Sequence, residues 1–160
     1  MALHKLILED IEDVSYTLIA IHCNLEDFRV AYLLNKFLNI GLKRKSEDLD
    51  FADRKASFSL FEWKDKEQLT TWNLISNVSK TEEEEILNKN SLFSVPNKII
   101  RTHHLIPEYT RVNYFLKIVN DGSLLNEKTI ISNIQKIPQV VTVYNVDATK
   151  LKSKDNLIFI

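Results

Sequence analysis

Apolar residues occur along the chain in short runs, and the spacing within each run indicates which element it forms. Residues 14–24 are β-branched and nearly all apolar, which predicts a strand buried on both faces at the centre of a sheet. Further apolar runs predict strands at residues 56–63, 69–78, 98–105, 112–119 and 140–146. Because only the polar residues 64–68 separate the first two of these runs, we expect them to pair as a hairpin. Residues 98–105 predict an edge strand.

Helical spacing follows the first predicted strand, over residues 25–42. The apolar stripe of this predicted helix consists of Phe28, Ala31, Leu34, Phe37 and Leu38. Asn24 is in position to cap the start of the helix, and Gly41 to cap its end. A second helix is predicted by apolar residues at helical spacing before Pro138, namely Ile130, Ile131, Ile134 and Ile137.

The predicted order of elements indicates an α+β fold. Two β-α-β units flank antiparallel strands, which predicts a single domain over residues 1–160, a two-layer sandwich with its helices on one face of the sheet. We expect a ferredoxin-like β-α-β-β…β-α-β arrangement with an extra strand. Residues 43–50 predict a solvated connection, residues 79–97 a long surface loop, and residues 157–160 an apolar tail that docks on the domain.

Composition excludes several classes of binding site. Lys and Arg total 21 against 22 Asp and Glu, so no overall positive field attracts a polyanion. The chain has two glycines, far apart, which excludes the glycine-rich loops that hold phosphates and dinucleotides. A single cysteine excludes an intrachain disulfide and a multi-cysteine metal centre. His103 and His104 are adjacent and would face opposite sides of a strand, so we expect no metal and no cofactor.

The chain lacks the sequence marks of export. Acidic residues interrupt the short apolar run at the start, which is unlike a signal peptide, and no run of about 18 apolar residues could span a membrane. With one thiol and no export signal, we expect a cytoplasmic protein.

The segment between the first strand and the first helix concentrates polar and charged side chains. His22, Asn24, Glu26, Asp27 and Arg29 lie within eight residues and are candidates for contacting a ligand or a partner. Helix capping is the simpler interpretation, with Asn24 as the cap and the two acids favoured by the helix dipole.

Aromatic residues flank the predicted hairpin turn: Phe58, Phe61, Trp63 and Trp72. On an open sheet face such rings can stack on single-stranded bases, which would indicate RNA binding. The near-neutral charge does not favour RNA, and cross-strand pairing of the rings is the simpler interpretation.

Residues 106–114 read Ile-Pro-Glu-Tyr-Thr-Arg-Val-Asn-Tyr. This segment resembles the signature of the IPExxxVDY family, small cytoplasmic proteins of the bacterial phylum Bacteroidota, and residues 21–35 and 152–159 resemble further segments of that family. Asn113 stands where the family signature has Asp. The resemblance implies no established activity. Genes of the family often lie beside those for ribonuclease III and pyruvate kinase, which implies an association with RNA processing and no mechanism.

The motif also has a direct physical interpretation. Pro107 forces the preceding residue into an extended conformation, which suits a bend before a strand. Glu108 and Asn113 can fix that bend by accepting hydrogen bonds from free backbone groups. Alternatively, Pro107, Glu108, Arg111, Asn113 and Tyr114 contribute to a contact surface. From residue 112 onward the alternation places Tyr114 on one face of the strand and Asn113 on the other.

These observations predict a non-catalytic accessory or regulatory protein that binds another macromolecule, most simply a protein. No catalytic motif of known spacing occurs in the chain. The alternatives are a small-ligand regulator like the ACT domain, an RNA-processing accessory protein and an enzyme without a recognisable motif. The sequence leaves self-association open and predicts no membrane partner.

Overall fold

The computed structural model describes residues 16–85, 97–121 and 125–159. Two helices are present in these ranges, α1 (Asp27–Leu38) and α2 (Glu127–Gln135). The strands are β1 (Tyr16–His22), β2 (Lys43–Arg44), β3 (Leu49–Phe51), β4 (Ala56–Phe58), β5 (Leu60–Asp65), β6 (Thr70–Ser76), β7 (Val78–Glu85), β8 (Asn97–His104), β9 (Tyr114–Asn120) and β10 (Thr142–Val146).

Six of the strands form one antiparallel sheet in the order β10-β1-β9-β6-β5-β2. β1 lies between β10 and β9 and is buried over most of its length, as its apolar sequence predicted. β5 and β6 form the predicted hairpin. The remaining strands pair as two separate ribbons, β3 with β4 and β7 with β8. The α+β class predicted from the order of elements is therefore confirmed.

Both helices pack on one face of the sheet. Ile19 and Ile21 of β1 and Leu116 of β9 face this side and join one core cluster with Leu34 of α1 and Ile134 of α2. Alternation along the strands sends every second side chain to this face, so the apolar stripes of both helices find a continuous apolar surface.

A second core covers part of the opposite face, which the two-layer expectation did not include. Leu18, Phe115 and Ile75 of the sheet pack there against residues from other segments. The covering residues come from the β3–β4 ribbon, the motif segment and the C-terminal segment, and include Phe58, Ile106 and Leu157. Leu157 is fully buried and Phe159 packs partly buried against the same core, so the predicted docking of the tail is confirmed for these two residues, whereas Ile158 between them is 65% exposed.

The predicted caps of the first helix are wrong. Glu26, in an extended conformation and without a side-chain cap bond, precedes the helix, and Asn24 lies exposed two residues earlier. The helix ends at Leu38, and Asn39 adopts the left-handed conformation (φ 54°) while its N–H bonds to the carbonyl of Asn35. Asn tolerates this conformation better than most residues, so a glycine is not needed there.

Gly41 has a packing role instead. A Cβ at Gly41 would lie 3.1 Å from Cδ1 and Nε1 of the Trp63 indole. Trp63 in turn pairs with Trp72 across the β5–β6 hairpin, at 6.1 Å between ring centroids. The missing side chain therefore lets the chain leaving α1 pass directly over an indole ring.

The predicted loop at residues 79–97 is wrong over its first part. Residues 78–85 form β7, which pairs antiparallel with β8 along its whole length. The acidic run 82–85 conceals this strand because like charges in sequence give no apolar alternation. Basic residues of β8 compensate the negative charges of β7, since Lys98 lies 4.0 Å from Glu82 and Arg101 lies 2.7 Å from Glu83. Residues 86–96 of the predicted loop lie outside the described residues.

Two smaller expectations also need correction. The predicted strand at residues 56–63 divides at Ser59, so that β4 joins β3 in a ribbon while β5 enters the main sheet. The carbonyl of Ser59 accepts a hydrogen bond from the N–H of Ser76, which holds this break against β6. Residues 43–50, predicted as a solvated connection, include β2 and most of β3.

Gly41→Ala is expected to lower the free energy of unfolding by about 1 kcal/mol. The added methyl crowds the indole in the folded state, and this penalty exceeds the stabilisation that alanine gives by restricting the unfolded chain. Denaturant unfolding measures the change. In a Trp63→Leu background the ring is gone, so the same substitution should become neutral or stabilising. An equal penalty in both backgrounds would contradict the packing role.

Candidate functional site

The two groups of candidate residues, far apart in sequence, meet in the structure. Asn113 Oδ1 accepts a hydrogen bond from the backbone N–H of Cys23 at 2.8 Å. The phenol of Tyr114 donates to the carbonyl of Leu25 at 2.6 Å. The end of the motif therefore fixes the turn between β1 and α1, a contact that the sequence did not reveal.

Tyr114 is a buried structural donor at this junction. Desolvation raises the pKa of its phenol, and the nearby negative charges of Asp27 and Glu26 raise it further. The neutral phenol is thus the form present over the physiological range, which suits its hydrogen bond to a carbonyl.

His22 contacts a tyrosine rather than its neighbour Cys23. Its Nε2 lies 3.0 Å from the Tyr144 hydroxyl, and the two rings are 5.5 Å apart. Burial, and then the nearby Tyr109, raise the pKa of Tyr144. Cys23 is buried in the helix-side core as a free thiol, so His22 and Cys23 do not form a nucleophilic pair.

Most of the polar and charged side chains of the junction lie at the surface. Asn24, Glu26 and Arg29 are exposed, and the half-buried Asp27 accepts a hydrogen bond from the N–H of Phe28 at 2.7 Å. Phe28 is itself 59% exposed, so its predicted place in the helix core is wrong. A step of three residues rotates by about 300° around the helix axis, which is less than a full turn. A series of such steps therefore shifts gradually around the helix, and Phe28 falls outside the buried stripe.

Tyr32 follows Phe28 by one helical turn and is 64% exposed. We call these two residues the α1 aromatic face. Sequence reasoning missed it because Phe28 and Tyr32 are indistinguishable, by residue type, from core residues. The drift of the three-residue spacing was the one signal that could have revealed it.

A buried asparagine organises the motif. Asn77 is fully buried between β6 and β7, and its Nδ2 donates to the carbonyls of Tyr109 (2.8 Å) and Val112 (2.9 Å). Its Oδ1 accepts from the N–H of Ile106 at 2.8 Å. Its backbone bonds both ends of the same segment, with Asn113 O and Leu105 N each at 2.9 Å. One amide thus satisfies backbone groups along the whole bend.

Glu108 extends this arrangement to the C-terminal segment. Its Oε2 accepts from the N–H groups of Lys152 (2.9 Å) and Ser153 (3.3 Å), and its Oε1 from the Ser153 hydroxyl (2.8 Å). Desolvation alone would raise the pKa of Glu108, but the hydrogen bonds from Ser153 and Lys152 together hold it below its ordinary value. Pro107 begins the 3₁₀ turn Pro107–Tyr109 that orients this carboxylate, and both Pro107 and Arg111 are exposed.

The aromatic residues near the hairpin do not form an open platform. Trp72 is buried in the helix-side core, where its Nε1 donates to Thr70 Oγ1 at 3.0 Å, and Trp63 packs against the same core. Phe58 and Phe61 are buried as well. The cross-strand pairing of the two indoles is confirmed.

A pocket opens on the sheet face opposite the helices, with a volume of about 650 Å³. Lys117 lies in its wall and is only 8% exposed, and this burial lowers the pKa of its ammonium group. Its Nζ donates to the carbonyl of Leu157 at 2.6 Å and lies 4.6 Å and 4.5 Å from the ring centroids of Tyr16 and Phe159. The alternation that separates Asn113 from Tyr114 also places Lys117 on the Asn113 face of the strand, but the sequence assigned it no role. A lysine within an otherwise apolar central strand was the available signal.

Comparison with protein-family models, with curated proteins and with solved structures finds no significant match to the chain. Within residues 16–85, 97–121 and 125–159, no three His, Cys, Asp or Glu side chains are grouped so that they could hold a metal ion. No helix in those ranges is long and apolar enough to cross a membrane.

Glu108→Gln is expected to weaken the attachment of the C-terminal segment, since a neutral amide is a poorer acceptor for two backbone N–H groups. The free energy of unfolding should fall by about 0.5–1 kcal/mol at neutral pH, as for loss of an exposed cap. Hydrogen exchange at the amides of Lys152 and Ser153 should accelerate. Glu67→Gln, in an exposed turn, is the matched control and should change neither quantity.

The same variant carries a pH signature. Because the folded pKa of Glu108 is depressed, its contribution is complete above the unfolded value of about 4.3 and disappears as the pH falls through the lower folded value. The stability difference between wild type and Glu108→Gln should therefore shrink on acidification. A difference that is constant down to about pH 3 would contradict the assignment.

Asn113→Asp, which restores the family residue, is expected to change the free energy of unfolding by less than about 1 kcal/mol because the acceptor for Cys23 N–H is retained. Asn113→Leu removes that acceptor and should cost about 1–3 kcal/mol. Denaturant midpoints compare the two variants. Equal losses in both would show that the amide group itself, rather than its oxygen, is required.

Proposed function

We propose that this protein is a non-catalytic accessory or regulatory protein that binds another protein through helix α1. The observation that carries the proposal is the α1 aromatic face, two large rings that are 59% and 64% exposed one turn apart. Exposed aromatic side chains on a rigid element are typical anchors of protein interfaces.

The helix that bears these rings is firmly held. Val30, Ala31 and Leu34 are buried in the core on its other side, and Asn35 exchanges two hydrogen bonds with the backbone of Leu42 (2.8 and 3.1 Å). A partner would therefore meet a preorganised surface and would not have to order it, which lowers the entropic cost of association.

Charges beside the rings suggest the chemistry of the partner. Arg29 and Lys36 are exposed and lie three residues before and four residues after Tyr32, so they flank it on the helix surface. Glu26 is exposed at the start of the helix, beyond Phe28. We infer a partner with an apolar pocket for the two rings and acidic side chains beside the Tyr32 end.

The fold assignment that accompanies this proposal is ferredoxin-like. It rests on strand order, since β9 separates β1 from β6 and β1 separates β9 from β10, as expected for two split β-α-β units. In this assignment β5 and the short edge strand β2 are additional to the four strands of the two units. We further propose membership of the IPExxxVDY family, on the residues quoted above, and a cytoplasmic location.

The alternatives have less support from the geometry. Of the aromatic residues that suggested RNA binding, Phe58, Phe61 and Trp72 are buried and Trp63 packs half-buried against the helix-side core. An ACT-like ligand site at the β1–α1 junction would need polar groups there, yet Asn113 and Tyr114 already bond the backbone of that junction. Both alternatives, and an unrecognised enzyme, are outcomes of the experiment below.

The test is affinity purification of the full chain from cells that naturally produce it, with and without nuclease. We expect a stoichiometric protein partner whose recovery is unchanged by nuclease treatment. Its recovery should fall by at least about tenfold with the Phe28→Ser/Tyr32→Ser variant, as for removal of interface anchors. Arg29→Glu should weaken recovery, and moderate salt should do the same.

The matched control is Ile100→Ser/Val141→Ser, since these apolar side chains lie outside α1 and are 64% and 72% exposed, similar to the two rings. Thermal melting checks that each variant is folded. Undiminished recovery with the α1 variant, loss of the partner with nuclease, or recovery of the chain alone would overturn the proposal.

A further inference from the structure

Three adjacent strands turn from apolar to polar at the same level on the sheet face opposite the helices. The pairing register places Leu60, Ile75 and Phe115 side by side in one row across β5, β6 and β9. The next row on the same face is Glu62, Asn73 and Lys117, and the row after it is Lys64, Thr71 and Val119. The first row belongs to the second core, with Leu60 also at the edge of the pocket described above, and the other two rows line that pocket.

The middle row consists of polar groups withdrawn from solvent. Asn73 is 4% exposed, Lys117 is 8% exposed, and the side chain of Glu62 is 25% exposed. Burying such groups costs free energy unless they are fully bonded, and apolar residues would have continued the second core at these positions. Three polar residues at neighbouring, largely buried positions therefore suggest a binding site.

The bonds within the pocket leave capacity for a ligand. Asn73 Nδ2 lies 3.3 Å from the carbonyl of Phe61 and 3.4 Å from Glu62 Oε2, both long contacts. Glu62 Oε1 lies 3.5 Å from Lys45 Nζ and 3.9 Å from Lys64 Nζ, beyond hydrogen-bond length. The ammonium group of Lys117 has three N–H donors, of which the carbonyl of Leu157 takes one. The rings of Tyr16 and Phe159 lie 4.6 Å and 4.5 Å from Nζ but accept no conventional hydrogen bond from it.

The most deeply buried charge of the pocket is a cation, the ammonium group of Lys117, and this favours an anion. Lys45 and Lys64 also line the pocket, as do the carboxylates of Glu47, Asp48 and Glu62. At the rim, Asp48 is already engaged by Arg44 and by the Ser57 hydroxyl, and Glu47 is exposed to solvent. An apolar wall formed by Leu49, Leu60 and Phe159 continues from this charged part.

We propose that this pocket binds a small organic anion. Its oxyanion, a carboxylate or a phosphate monoester, sits over Thr71 and Asn73 between Lys64 and Lys117, and a short apolar portion lies against Leu49, Leu60 and Phe159. Two test ligands that differ only in the head group distinguish a carboxylate from a phosphate monoester. The site is on the opposite side of the sheet from the α1 aromatic face, so the two proposals fail independently.

The experiment is an NMR titration of the full chain with sodium hexanoate, monohexyl phosphate and hexanol at constant ionic strength. We expect saturable shifts at the amides of Thr71, Asn73 and Lys117 with at least one of the two anions and not with hexanol. The anion that saturates at lower concentration identifies the head group. No saturation with either anion, or equal binding of hexanol, would overturn the proposal.

Variants assign the effect to the pocket. Lys117→Met, which keeps length without charge, should raise the Kd about tenfold or more, and Thr71→Val, which keeps shape, should raise it severalfold. Glu62→Gln removes the opposing charge and should lower the Kd. Lys98→Met, on the exposed β7–β8 ribbon, is the matched control. If Lys117→Met does not fold, Thr71→Val and Glu62→Gln still decide, and unchanged affinity in both refutes the site.

Discussion

The buried amide of Asn77 is the interaction on which the rest of the structure depends. It satisfies three backbone groups between Ile106 and Val112, a segment that would otherwise bury unpaired donors and acceptors beneath the sheet. That segment leads directly into β9, which lies between β1 and β6 in the sheet. Fixing the bend therefore fixes where the central strand begins, and with it the register that aligns the side chains of both faces.

From this bend the motif reaches two distant parts of the chain. Asn113 and Tyr114 hold the turn that leads into α1, and Glu108 holds the backbone at Lys152 and Ser153. The C-terminal segment is held further by Asn156, whose amide donates to the carbonyl of Leu105, and by Lys117, which bonds Leu157. The segment that resembles a family signature thus acts here as a structural junction.

This arrangement connects the junction to both proposed surfaces. The motif supports the start of α1, and so supports the helix that presents Phe28 and Tyr32 to solvent. It also anchors the segment that carries Phe159 to the wall of the pocket. The sheet separates the two surfaces, since the helices occupy one face and the pocket opens on the other.

Local patterns in the sequence were sufficient for the class of fold and for most of its elements. Period-two and helical spacing are properties of neighbouring residues, so β1, the β5–β6 hairpin, β9, both helices and β10 could be located without knowledge of their partners. The same reasoning failed where the decisive partner is distant. β7 escaped notice because its charges are compensated across the ribbon, and Phe28 because its exposure depends on how α1 lies on the sheet.

The candidate sites depended even more on tertiary structure. The sequence marked Glu108 and Asn113 as residues that fix the bend by accepting bonds from free backbone groups. They do accept such bonds, but from groups 44 and 90 residues away along the chain, and Asn77 holds the bend itself. Asn77 gave no local sign of its role, and the lysine within the apolar strand β9 marked Lys117 as unusual without indicating what it contacts. A hydrogen bond or a pocket requires particular atoms to meet, and strand register, rather than the residues' own neighbours in sequence, decides which atoms those are.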